Sequence, residues 1–152
     1  MSDSNAAFRF LLRVRYSECD AQCVVFNARY GEYVDVAMTE FLRFKLGGYD
    51  VLLNQGLDSQ IVKQTTQWES SAKFDDVIAC HVRTLKLGTT SYVVETDMRD
   101  HFTDRRFAVT ESVYVMVDSK RFEKTVIPQH IRECLMRLDM PVVIDQAGVN
   151  KG

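Results

Sequence analysis

Asp20 stands in Ser17-Glu-Cys-Asp-Ala-Gln-Cys23, a short polar run just ahead of the longest amphipathic stretch in the chain. A carboxylate there can take a proton from water or attack an electrophilic carbon itself. Either step at a carbonyl leaves an oxyanion that needs donors. The first backbone N–H groups of a helix lack intrahelical partners and carry the positive end of its dipole, so they suit that task. By residue type alone Asp20 also fits a turn or capping carboxylate, Asn27 a plain N-cap, and Glu18 a solvated loop charge.

Other chemistry-bearing residues assemble less. His81, His101 and His130 fall in a strand, a loop and a terminal helix, and none has a Ser-His or Cys-His context. Cys19 and Cys23 are four apart, but no further Cys or His completes a zinc set, so no metal site is expected. The four cysteines, with Cys80 and Cys134, read as reduced thiols, and Cys19 as a small residue beside Asp20.

The elements that must position these groups follow from periodicity. Phe8 to Tyr16 alternates and predicts a strand. Tyr30, Tyr33, Val34, Ala37, Met38, Phe41 and Leu42 continue from Phe26 as one helical stripe, capped by Asn27 and stopped by Gly47-Gly48. Tyr49 to Ser59 reads as an irregular or part-helical connection. Strands are predicted at Ile61 to Phe74, Val77 to Leu87, Ser91 to Met98 and Phe107 to Val117, with a turn at Gly88-Thr-Thr90. In the last strand Phe107, Val109, Val113, Val115 and Val117 share one face, and Ala108, Thr110, Ser112, Tyr114 and Met116 the other. Asp118-Ser-Lys120 turns toward Phe122 to Ile127, Pro128 opens a helix over Gln129 to Leu138, and the last dozen residues read as a loose tail. One long helix on an antiparallel sheet is an α+β arrangement.

At 152 residues and 46% hydrophobic content the chain is expected to form one domain over 1–152, with its core at about 8–138. No apolar run reaches about 18 residues, and Met1 to Ala7 has no signal-peptide pattern, which predicts a cytoplasmic protein without membrane contact. A formal charge of −2 gives no whole-chain field for nucleic acid.

The segment Val14 to Tyr33, with Cys19-Asp20, the Val24-Val25 pair, the polar Asn27 and the aromatic Tyr30, resembles the signature of the 4-hydroxybenzoyl-CoA thioesterase family of hotdog proteins. The likeness extends through Phe74-Asp-Asp-Val77, Leu85 to Ser91, Val115 to Asp118 and Pro128, over roughly residues 8 to 136. It implies a hotdog fold, in which one sheet wraps a long central helix and a short C-terminal helix follows. It implies hydrolysis of an acyl-CoA thioester, with Asp20 as general base or nucleophile and the Asn27 backbone amide, beside Phe26, as oxyanion donor. Some relatives carry a histidine at the position of Asn27 or Val24. This chain has neither, so the carboxylate is expected to work without an imidazole in its loop.

The resemblance also implies that Phe26 and Tyr30 line the acyl group. Coenzyme A is rich in phosphate, so Arg83, Lys86, Arg99, Arg105 and Arg106 become candidate anion contacts, with Arg105-Arg106 the best local pair. Thr89, Thr90 and Ser91 fall in the family's CoA-contacting region, and each basic residue equally suits a solvated strand edge. A homodimer or homotetramer with sites between subunits, and no cofactor, is implied. The competing expectations are a thioesterase acting on acyl carrier protein and a hotdog module that binds acyl-CoA without turnover.

Overall fold

The computed structural model describes residues 6–149; Met1 to Asn5 and Asn150 to Gly152, the ends of the expected domain, lie outside the described residues. In chain order they form β1 (Phe8–Arg13), α1 (Arg29–Leu46), α2 (Tyr49–Asn54), β2 (Leu57–Trp68), β3 (Val77–Leu87), β4 (Ser91–Asp100), β5 (Arg106–Asp118), α3 (Gln129–Met136) and β6 (Val142–Asp145). The strands make one six-stranded sheet in the order β2-β5-β4-β3-β1-β6. Its pairs are antiparallel except β1 with β6. This is the hotdog fold.

α1 exists because its stripe can be covered. Tyr30, Tyr33, Val34, Ala37, Met38, Phe41 and Leu42 are all buried. They pack into one cluster with Phe8, Phe10, Ile78, Cys80, Val82, Tyr92, Val94, Met98 and Met116 from the inner sheet face. Gly47 ends the helix in the left-handed region at φ 96°, its N–H on the Arg43 carbonyl at 2.9 Å, a geometry that favours glycine.

The helix starts later than the sequence suggests. The Arg29 N–H bonds the Phe26 carbonyl at 2.8 Å, so Asn27 and Ala28 form a turn and Ala28 occupies the N-cap. Asn27 therefore sits one residue too early to cap. β2 begins at Leu57 and stops at Trp68, short of Phe74, because the Glu69 and Ser70 amides both turn onto the Phe107 carbonyl. The expected loose tail is ordered over Val142–Asp145, where β6 covers the outer edge of β1 in parallel register. α3 ends at Met136, two residues before the expected Leu138.

On β5 the helix-facing side is the more polar one. Ala108, Thr110, Ser112 and Met116 are buried there, with Thr110 and Ser112 no more than 1% exposed. Thr66 and Gln64 of β2 satisfy them, through a 2.8 Å hydroxyl pair and an amide-to-hydroxyl bond of 3.1 Å. No helix among the described residues is long and apolar enough to cross a membrane.

Candidate active site

Asp20 lies in a miniature hairpin that precedes α1. The Phe26 N–H bonds the Glu18 carbonyl at 2.9 Å, Cys19 bridges Val25, and the Asp20 N–H bonds the Val24 carbonyl at 2.9 Å. The return is tight: the Cys23 N–H bonds the Asp20 carbonyl at 2.9 Å, and Cys23 takes φ 64°. Asp20 Oδ1 accepts the Gln22 N–H at 2.8 Å, an Asx turn that fixes the carboxylate. The far arm is tied down too, because Val24 bridges Lys73 and the Val25 N–H bonds the Ala72 carbonyl at 2.9 Å.

This hairpin gives the Asp20-to-Asn27 spacing a physical meaning. Asp20 faces Val24 across the two arms, and Asn27 follows the end of the second arm. Asp20, Phe26, Asn27, Tyr30, Trp68 and Glu69 line one open depression of about 470 Å³. The Phe26 amide is committed to Glu18, whereas the Asn27 and Ala28 amides make no hydrogen bond among the described residues. Together these features can hold a carbonyl oxygen on amides and present a carboxylate to its carbon.

Glu18 is the feature that residue type misread. It is 4% exposed, not a solvated loop charge. Its carboxylate accepts the Arg15 N–H at 2.7 Å, the Arg15 guanidinium at 2.9 Å and 3.2 Å, and the Tyr33 hydroxyl at 3.0 Å. Burial opposes its ionisation, but these donors outweigh it and hold the carboxyl below its usual range. Cys19 goes the other way: burial, then the Asp20 and Glu18 charges, pushes its thiol up, which suits a spectator.

The other expected contacts divide between the two ends of the sheet. Arg105 and Arg106 lie at the Asp20 end. Arg106 pairs with Asp97 at 3.0 Å and with Glu69 at 3.3 Å, and its carbonyl accepts the Ser70 hydroxyl at 2.7 Å, so it braces the wall of the depression. Arg105 stacks its guanidinium over Phe107. Arg83, Lys86, Thr89, Thr90 and Ser91 lie toward the far end of β3 and in its turn into β4. At about 3.3 Å per residue, that turn is roughly 30 Å from the Asp20 end of β3. Arg83 is paired with Glu95 at 3.0 Å. None of the three histidines lines the depression. Trp68, Glu69 and Ser70 do, unforeseen, since only the break of β2 brings them there.

A larger groove of about 660 Å³ runs along the other flank of α1, between Asp35, Met38 and Leu42 and the β2 residues Ser59, Ile61 and Gln64.

Comparison with known proteins agrees with this architecture. The chain is 26% identical over 124 residues to the acyl-CoA thioester hydrolase YbgC of Escherichia coli O6:H1, covering 82% of this chain and 92% of that protein. A thioesterase-superfamily structure from Jannaschia superposes with a TM-score of 0.80 at 19% identity, over 86% of this chain and 92% of the other. A 1,4-dihydroxy-2-naphthoyl-CoA thioesterase from Synechocystis gives 0.79 at 14% identity, over 88% and 98%, a likeness of fold alone. Residues 14–135 match the thioesterase-like superfamily, a grouping broader than the one the sequence resembles. The chain belongs to the thioesterase-like superfamily of hotdog thioester hydrolases.

Proposed function

We propose that this protein hydrolyses acyl-CoA thioesters, with Asp20 as general base or nucleophile and the Asn27 amide, joined by that of Ala28, as oxyanion hole. The observation that carries this reading is the shared depression, where a fixed carboxylate meets amides without partners among the described residues. The likeness to YbgC supports a CoA thioester as substrate. Phe26 and Tyr30, which line the same depression, are assigned to the acyl group in this reading. The spacing of Asp20 and Asn27 supports membership of the narrower 4-hydroxybenzoyl-CoA thioesterase family.

The reading extends to assembly. Arg105 and Arg106 can serve the Asp20 of their own chain, whereas Arg83, Lys86 and Thr89 to Ser91 can reach such a site only across a subunit boundary. β2 offers that boundary, as a twelve-residue edge strand with most of its residues exposed.

A panel of short, long and aromatic acyl-CoAs with a thiol readout tests the reading. Wild type should turn over at least one of them, and Asp20→Asn should lose at least about a hundredfold while staying folded. Unchanged turnover in that variant removes Asp20 from the mechanism. CoA binding without turnover in wild type points to a binding module.

A further inference from the structure

We propose that Glu18 is the positioning residue of this site, clamping the Asp20 hairpin onto α1 and so setting where Asp20 stands relative to the Asn27 amide. The inference rests on the reading of Asp20 and Asn27 given above.

Glu18 acts at both ends of the relevant geometry. Its main-chain carbonyl accepts the Phe26 N–H at 2.9 Å, one residue before Asn27. Its own position is two residues before Asp20 on the same arm, across the hairpin from Phe26. Its side chain reaches down to α1 and accepts the Tyr33 hydroxyl at 3.0 Å. Among the described residues that is the one side-chain hydrogen bond between the hairpin and the helix. Tyr33 is 4% exposed and held edge-on by Tyr30, so it gives the carboxylate a fixed anchor.

A buried carboxylate is a poor way to gain stability, since desolvation offsets most of what its partners return. It is a good way to impose one geometry, because several donors must converge on it at once. Glu18 meets that desolvation cost two residues from Asp20, where an apolar residue could fill the same space without it. The arrangement makes sense if the hairpin must hold one position on the helix, since a misplacement of about 1 Å at a reacting group can cost about a hundredfold in rate.

A double-mutant cycle on the full chain separates this role from simple structural support. Glu18→Gln, Tyr33→Phe, Asp20→Asn and the pairs with Asp20→Asn are assayed for kcat and KM, with urea unfolding alongside. Glu18→Gln keeps one acceptor for Tyr33 but presents an amide to the Arg15 guanidinium. It should lower kcat about tenfold with KM within about twofold, and Tyr33→Phe should follow it in direction. In the Asp20→Asn background neither change should lower kcat further. Equal losses in both backgrounds, or full kcat in both Glu18→Gln and Tyr33→Phe with only the urea midpoint moved, overturn the positioning role alone. Full kcat in Asp20→Asn overturns the site itself and this role with it.

Discussion

The Trp68 indole stands edge-on to the Tyr30 ring, centroids 6.4 Å apart and planes at 81°, and both residues line the depression that holds Asp20. Tyr30 is fixed from behind, since its hydroxyl accepts the Ala72 N–H at 3.2 Å. Trp68 is the chain's single tryptophan and is 51% exposed, so its emission reports this one place. Titration with a non-hydrolysable acyl-CoA thioether should give a saturable change in Trp68 fluorescence, retained in Asp20→Asn. A ligand that binds by calorimetry yet leaves the emission untouched would sit elsewhere.

The long-range part of the fold was legible where a pattern and its cover agree. β3 runs from Val77 to Leu87 within the expected bounds, and the helical stripe is buried at every position from Tyr30 to Leu42, whereas Phe26, ahead of α1, is 48% exposed. Misreadings arose where a distant partner decides. Asn27 has the chemistry of a cap, but the Glu18 carbonyl draws Phe26 back and a turn intervenes. β6 looked like tail because its parallel pairing with β1 spans nearly the whole sequence. The two faces of β5 were legible as alternation but not which one meets the helix, because the partners that let Thr110 and Ser112 be buried, Thr66 and Gln64, lie on another strand. Glu18 looked solvated for the same reason, its anchor being fifteen residues away on a helix.

Acid should destabilise the protein in two stages. Burial, helped by the Arg9 and Arg99 charges and opposed by Asp97 and Asp104, holds His81 below the ordinary imidazole range. Glu18, Asp97 and Asp139 lie below the usual carboxylate range, each resisting burial through its cationic or hydrogen-bonding partners. All four groups bind protons more readily when unfolded, so stability is fully present above their unfolded values and lost as pH falls. Tm should decline first below about pH 6.5 as unfolded histidine gains its proton, and more steeply below about pH 4. His81→Gln should remove the first stage and leave the second, measured by thermal melts across pH.

Asp97 is the strongest single test of the ion network on the outer sheet face. It is 2% exposed and accepts Arg99 Nε at 3.0 Å and Arg106 Nε and Nη2 at 3.0 Å and 3.2 Å. Removing it leaves the buried Arg99 without its principal counter-charge, and such a loss costs about 3–5 kcal/mol. Asp97→Ala should fall in that range by urea unfolding, and Asp97→Asn should cost less because it keeps one acceptor. A loss below about 1 kcal/mol would mean that water already screens the network.

The free edge of β2 offers the test of assembly. Ile61 and Val62 are 49% and 60% exposed on a strand with no neighbour on its outer side among the described residues. Exposed apolar edges of that length invite pairing with a second chain. The register against β5 slips between Ile61 and Lys63, so Val62 has no partner in the ladder. A proline is tolerated at such a bulge within the subunit but withholds a donor from any incoming strand. Val62→Pro should therefore keep its circular dichroism spectrum while light scattering shows a monomer in place of the proposed dimer. Turnover should fall with it, because the far-end contacts Arg83, Lys86 and Thr89 to Ser91 would have no second site to serve. A Val62→Pro protein that remains dimeric and active would move the interface away from β2.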